Sequence, residues 1–151
     1  MDELDRGLAI ALTGTRRDDA LEAFLKQAGE CSVALPPAEP LVLDFGLGEF
    51  EKTGLIEYWI ANEADAGYCG KYLFVFDGQT CPAHHHEAKH ETFFVVKGRV
   101  RMNCDGHTRE MSEGEVLPVA PGSRHTFTGL GPALLLERSE EHTSELQSPS
   151  A

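Results

Sequence analysis

The sequence predicts a small all-β domain, a barrel or jelly roll, with a short helix ahead of it. Two observations carry this expectation. From Leu41 onward, apolar or alternating runs of three to seven residues recur, each bounded by Gly, Pro or Asp. Before Leu41, one stretch has helical spacing and then meets a proline-rich segment. Many short strands separated by turn signals are the pattern of a barrel or sandwich.

The helix is expected over residues 16–29. Ala20, Leu21, Phe24, Leu25 and Ala28 share a face, Asp18 and Asp19 stand near the start, and Gly29 is a stop. Residues 32–40 contain Pro36, Pro37 and Pro40, which cannot continue a helix and read as an extended crossing. The strands are expected at Leu41–Leu43, Leu55–Ala61, Lys71–Phe76, Thr92–Val96, Arg99–Asn103, Thr108–Met111, Glu115–Val119, His125–Thr128 and Ala133–Leu136. Asp77-Gly78, Asp105-Gly106 and Pro121-Gly122 mark turns between them. The organisation is therefore a helical and extended segment over 1–40, a β-barrel over 41–137 and a tail over 138–151.

That tail begins Arg138-Ser-Glu-Glu-His-Thr-Ser-Glu-Leu-Gln-Ser148. The run resembles the translation of a sequencing-library adapter, so it reads as non-native, with the natural sequence stopping near Glu137. The plainer reading is a polar, disordered tail. His142, inside it, receives no role.

The chain has 151 residues, one domain's worth, and a formal net charge of −12. An acidic surface gains nothing from counterion release on nucleic acid and is repelled by anionic lipid. No apolar run approaches the ~20 residues of a membrane helix. The acidic start, Met1-Asp-Glu-Leu-Asp5, is unlike a signal peptide. Cys31, Cys69, Cys81 and Cys104 form no Cys-x-x-Cys pair, so free thiols in a reducing cytoplasm are expected.

The chemistry concentrates between Gly78 and Gly98. Alternate residues of a strand share a face, so His84 and His86 point one way and His85 the other. Lys89, Glu91, Phe93 and Val95 likewise share a face. Imidazole and carboxylate together suit a divalent transition ion. His125, after the Pro121-Gly122 turn, stands where a facing strand would supply a further ligand. A histidine cluster can equally be a surface feature.

At this point the spacing resembles a family. Gly78, five residues, His84-x-His86, four residues, Glu91, six residues and Gly98 match the first cupin motif in full. Gly114 and Gly122-x-x-His125 match part of the second. Ala120 stands where a proline is usual, and Gly129 where an asparagine is. The resemblance covers about residues 70–130. It implies a cupin barrel whose metal ligands are His84, His86, Glu91 and His125, with two adjacent coordination positions open. That arrangement permits dioxygenase chemistry at iron or Lewis-acid chelation of two sugar oxygens.

Lys89 bears on this choice. In His86-x-x-Lys89-x-Glu91 it should face inward with the ligands, where burial and a dication would lower its proton affinity. The alternative is a lysine at the barrel mouth with its head in solvent.

A second likeness lies in Leu43-Asp-Phe-Gly-Leu-Gly-Glu-Phe50, Gly67-Tyr-Cys-Gly-Lys71 and Gly78-Gln-Thr80, ahead of the His-x-His-x-x-Lys-x-Glu core. Together these are similar to the D-lyxose isomerase group of cupins, from about residue 41. The resemblance implies a Mn²⁺-dependent aldose–ketose isomerase acting on D-lyxose, and in some members on D-mannose, through a metal-chelated enediolate, although Fe²⁺, Zn²⁺ and Ni²⁺ suit the same ligands. It also implies that Lys89 is catalytic, with a late-strand carboxylate that falls on Glu137. Arg124 and Lys71 are candidate hydroxyl binders or surface charges. Tyr68, Trp59 and Phe93 are candidate sugar platforms or core. Cys81 lies an odd number of residues from His84 and should face away from the metal. The rivals are an iron-dependent dioxygenase and a non-catalytic metal- or sugar-binding cupin. Cupin sheets often pair across subunits, so a homodimer is expected.

Overall fold

The computed structural model describes residues 3–84 and 89–140, the side chains of 83 and 84 excepted. Two helices, α1 (Glu3–Ile10) and α2 (Gly14–Glu30), precede ten strands. These are β1 (Leu41–Leu43), β2 (Leu55–Glu63), β3 (Tyr68–Val75), β4 (Thr80–His84) and β5 (Glu91–Lys97). They continue as β6 (Arg99–Cys104), β7 (His107–Ser112), β8 (Val116–Val119), β9 (His125–Gly129) and β10 (Ala133–Glu140). The strands form two antiparallel sheets, ordered β1-β2-β3-β10-β5-β8 and β4-β9-β6-β7. This is the expected all-β jelly roll.

Alternation builds the interior. In β5 the buried residues are Glu91, Phe93 and Val95, and in β9 they are His125, Phe127 and Gly129. Phe93, Val95 and Leu135 from one sheet meet Val100, Met102 and Phe127 from the other in one apolar cluster. The polar interior residues lie on the same strands as that cluster.

The outer face of the six-stranded sheet is also covered, which is why the first five residues of β2 are all buried rather than alternating. Helix α2 lays Ala20, Phe24 and Ala28 on Val42, Ile56, Tyr58 and Phe74. The Phe24 ring packs 4.8 Å from Phe74 and 5.6 Å from Tyr58. Leu25, expected on this face, is 52% exposed. The packed stripe is the single i, i+4 row of Ala20, Phe24 and Ala28, and Leu25 lies one residue round the helix from it.

Three features extend the sequence reading. Helix α1 was not foreseen. β10 continues three residues past Glu137, so that Arg138, Ser139 and Glu140 pair with Gly70, Cys69 and Tyr68 of β3. All four cysteines are free, with Cys69 and Cys81 buried. Gly98, which closes the first motif, has φ 81°, and a Cβ there would stand 2.3 Å from the Pro132 carbonyl. Only glycine fits that approach. Among the described residues, no helix is long and apolar enough to cross a membrane.

Candidate active site

Glu91 opens β5 and His125 opens β9, so two strand starts from opposite sheets converge inside the fold. Glu91 is 2% and His125 1% exposed. His125 Nε2 lies 3.1 Å from Glu91 Oε1. His125 Nδ1 is 3.2 Å from the Ser123 carbonyl. A carbonyl only accepts, so Nδ1 carries a hydrogen and Nε2 is the nitrogen turned to the carboxylate. Phe93 sets its ring edge-on to the imidazole at 5.4 Å. The donor set of imidazole nitrogen and carboxylate oxygen, brought together in a buried site, fits a divalent ion.

His84 ends β4 opposite His125 in the β4–β9 register. Its side chain, and His86 altogether, lie outside the described residues. Among those described, no group of three or more His, Cys, Asp or Glu has metal-binding geometry.

The β4–β9 register also corrects one expectation. Cys81 pairs with Phe127 and His84 with His125, so three steps on β4 match two on β9. That is a β-bulge, and it breaks the odd–even count. Cys81 consequently packs in the interior cluster rather than away from it. It stands beside Pro82 on a cavity wall, and burial pushes its thiol far up, so it is inert.

Lys89 is 3% exposed, so its head is not in solvent. Lys71, read as a hydroxyl binder or a surface charge, is neither exposed nor alone. It is 4% exposed, and its ammonium lies 2.5 Å from Glu3, 3.2 Å from Glu137 and 3.4 Å from Glu57. It also sits 4.8 Å above the Trp59 ring. Glu137 faces Lys71 directly in the β10–β3 register, and Trp59 faces it in β2–β3. Trp59 Nε1 donates to Glu57 at 2.8 Å. Three carboxylates thus surround one buried ammonium, which has three hydrogens to give.

The electrostatics follow from that count. Burial alone would lower the proton affinity of Lys71, but Glu137, Glu57 and Glu3 outweigh it and hold the ammonium well above its ordinary range. Burial raises Glu137 well above the usual carboxylate range. Lys71 pulls it back, while Glu91, Glu3 and Glu57 push it further up. Glu137 therefore retains a proton that an exposed carboxyl would lose.

These groups line a cavity of about 340 Å³. Glu57, Lys71 and Glu137 supply charge from the sheet, Leu55 and Leu73 supply apolar wall, and Glu3 from α1 closes one side. Sequence reasoning missed Glu3 and Glu57. Glu57 shares strand parity with Leu55 and Trp59, which was the available signal. Glu3 had none, since nothing in the first ten residues points to the barrel.

The other candidates fall elsewhere. Arg124 is exposed and exchanges hydrogen bonds with Asp105 across a turn. Tyr68 is 38% exposed and is not among the cavity-lining residues. Phe93 and Trp59 are core.

Known proteins resemble this chain in sequence and in fold. A family model described as a cupin domain matches residues 73–137, and one described as D-lyxose isomerase matches residues 41–98. A D-lyxose/D-mannose isomerase from Thermosediminibacter oceani is 28% identical over 146 residues, covering 77% of this chain and 80% of that protein. A D-lyxose ketol-isomerase from Cohnella laeviribosi is 29% identical over 148 residues, covering 78% and 80%. The structure of an RmlC-like cupin from Shewanella frigidimarina superposes with a TM-score of 0.58 at 17% identity, over 73% of this chain and 89% of that one. The last is a likeness of fold alone. With its two facing sheets and the matched motif, the chain has the cupin fold. Within that fold it resembles the D-lyxose isomerase group, whose model matches residues 41–98.

Two outcomes follow for the acid cavity. Lys71→Met should destabilise the fold by about 3 to 5 kcal/mol in urea denaturation, because it strips three carboxylates of the buried ammonium they surround. An unchanged midpoint would show that the carboxylates are neutral without it. The second concerns Glu137, whose proton the fold holds more tightly than the unfolded chain does. That stabilisation is complete below the ordinary value of 4.5 and is lost as pH rises through the raised one. In metal-free protein, Glu137→Gln should therefore flatten the decline in melting temperature above pH 4.5. Parallel curves for the two proteins would assign the decline elsewhere.

Proposed function

We propose that this chain is a metal-dependent aldose–ketose isomerase that converts D-lyxose, with D-mannose as a second substrate to be tested, to the corresponding ketose. The observation that carries the reading is a buried, protonation-poised Glu137 in a cavity on the same interior as the Glu91–His125 pair. The relatives named above support the substrate class.

In this reading His84, His86, Glu91 and His125 hold one divalent ion, Mn²⁺ first, with Fe²⁺, Zn²⁺ and Ni²⁺ as substitutes. When bound, the ion acts as a Lewis acid toward two neighbouring sugar oxygens. Isomerisation moves one proton from C2 to C1 and a second from the C2 hydroxyl to the C1 oxygen. Glu137 is the base for the carbon-bound proton, since burial raises its proton affinity above that of an ordinary carboxylate. Lys89 moves the hydroxyl proton. Lys71 keeps Glu137 in place, opposite it in the strand register. The buried setting excludes water, which would otherwise exchange with the transferred proton.

The test is an NMR assay of D-lyxose and D-mannose with manganese and with a chelated control. Ketose should form with manganese and stop on chelation. Lys89→Ala should keep its metal and lose about 100- to 10,000-fold in kcat, while His86→Ala should lose the metal itself by elemental analysis. A metal-loaded protein that makes no ketose would end the isomerase reading, and oxygen uptake in its place would establish a dioxygenase.

The reading also includes a cytoplasmic homodimer. β1 and β8 are the free edges of the six-stranded sheet, and pairing would cover one of them. Light scattering at micromolar concentration should give twice the 16.5 kDa chain mass, and the monomer mass would remove the dimer.

A further inference from the structure

The loop after β1 is held in one shape. The Asp44 carboxylate accepts the backbone N–H groups of Gly46 at 2.9 Å and Gly48 at 3.2 Å, and Arg16 approaches it at 3.6 Å. From the other side, the fully buried Gln79 donates to the Phe50 carbonyl and accepts the N–H of Phe76. Gln79 thereby joins the Leu43–Phe50 motif to the Gly78-Gln-Thr80 motif, two segments that the chemistry above leaves unused.

Inside this loop Phe45 has φ 56°, a left-handed conformation that bulky side chains rarely adopt. Such strain persists only where the surroundings over-determine it. Its result is a ring on the wall of the cavity that holds Glu57, Lys71 and Glu137. Leu43, Leu55 and Leu73 continue the apolar side beside it. The cavity is thus charged on one part of its wall and apolar on another. A sugar has the same division, with hydroxyls at its edges and C–H bonds on its faces.

We infer that Phe45 is the sugar-binding platform of this cavity, its ring covering the C–H face while the Glu57 carboxylate on the charged part of the wall accepts hydroxyls. This rests on the sugar-isomerase reading and adds the residue that determines affinity. A purely packing role is the competing explanation, because Phe45 also touches the interior cluster. Glycine at position 45 separates the two, since it removes the ring and also relieves the left-handed backbone.

The experiment is saturation-transfer NMR on the full chain loaded with diamagnetic Zn²⁺, using D-lyxose as the probe, with a thermal melt of each protein. Phe45→Ala should weaken binding about 5- to 10-fold, and Phe45→Trp should stay within about 2-fold of wild type. Phe45→Gly should weaken binding as much as Phe45→Ala, with a melting temperature at or above that of the alanine variant. Wild-type affinity in Phe45→Gly, or equal loss in Phe45→Trp and Phe45→Ala, would overturn the platform and leave the sugar reading intact. No saturation transfer to D-lyxose in the wild type would remove both.

Discussion

A lysine ammonium inside a folded protein must find acceptors and counter-charge, and Lys71 finds both in three carboxylates from three different elements. That requirement organises much of the molecule. Glu137 reaches it across β10–β3, Glu57 comes from β2, and Glu3 reaches in from α1. Helix α1 can come this close because Gly7 leaves room, since a Cβ there would lie 3.2 Å from Leu41 and 3.6 Å from Glu57. With three carboxylates and one ammonium, full ionisation would leave two negative charges uncompensated in a low-dielectric interior. The cheaper state keeps a proton on a carboxyl, and the most buried of them is Glu137.

The interior is then divided into two chemical zones without any change of fold. Glu91 and His125 sit at the starts of β5 and β9, with Phe93 packed against the imidazole. Glu137 and Lys71 sit further across the same sheet. Glu91 is near enough to raise the proton affinity of Glu137, which couples the zones electrostatically. The loop carrying Phe45 borders the second zone and is tied to the start of β4 through Gln79. β4 in turn carries His84 to its place opposite His125. The two conspicuous motifs are therefore mechanically linked.

Legibility in the sequence followed locality. Nine of the ten strands were legible because turn glycines and prolines bound them and because buried strands are short apolar runs, while β4 (Thr80–His84) was not among those expected. The pair Glu91 and His125 was legible from spacing, since a parity rule and a turn suffice to bring them inward. Lys71 and Glu57 were harder. β2 and β3 are covered by α2 on one face and the second sheet on the other, so the alternation that would mark an inward charge is blurred. Cys81 was misassigned because a bulge shifts parity by one, and no residue pattern announces that shift.

The amino-acid sequence by itself determined the all-β class, the position of α2, the order of the strands and the residue types available to a metal. All of these depend on periodicity and turn chemistry within a few residues. Only the tertiary structure decided that Glu3, Glu57 and Glu137 share one lysine, that α1 closes their cavity and that Phe45 lines it. These contacts join residues up to 134 positions apart (Glu3 to Glu137) through the Lys71 ammonium. Their basis is the electrostatic cost of burying charge, which exists only once the sheets and helix have assembled around it.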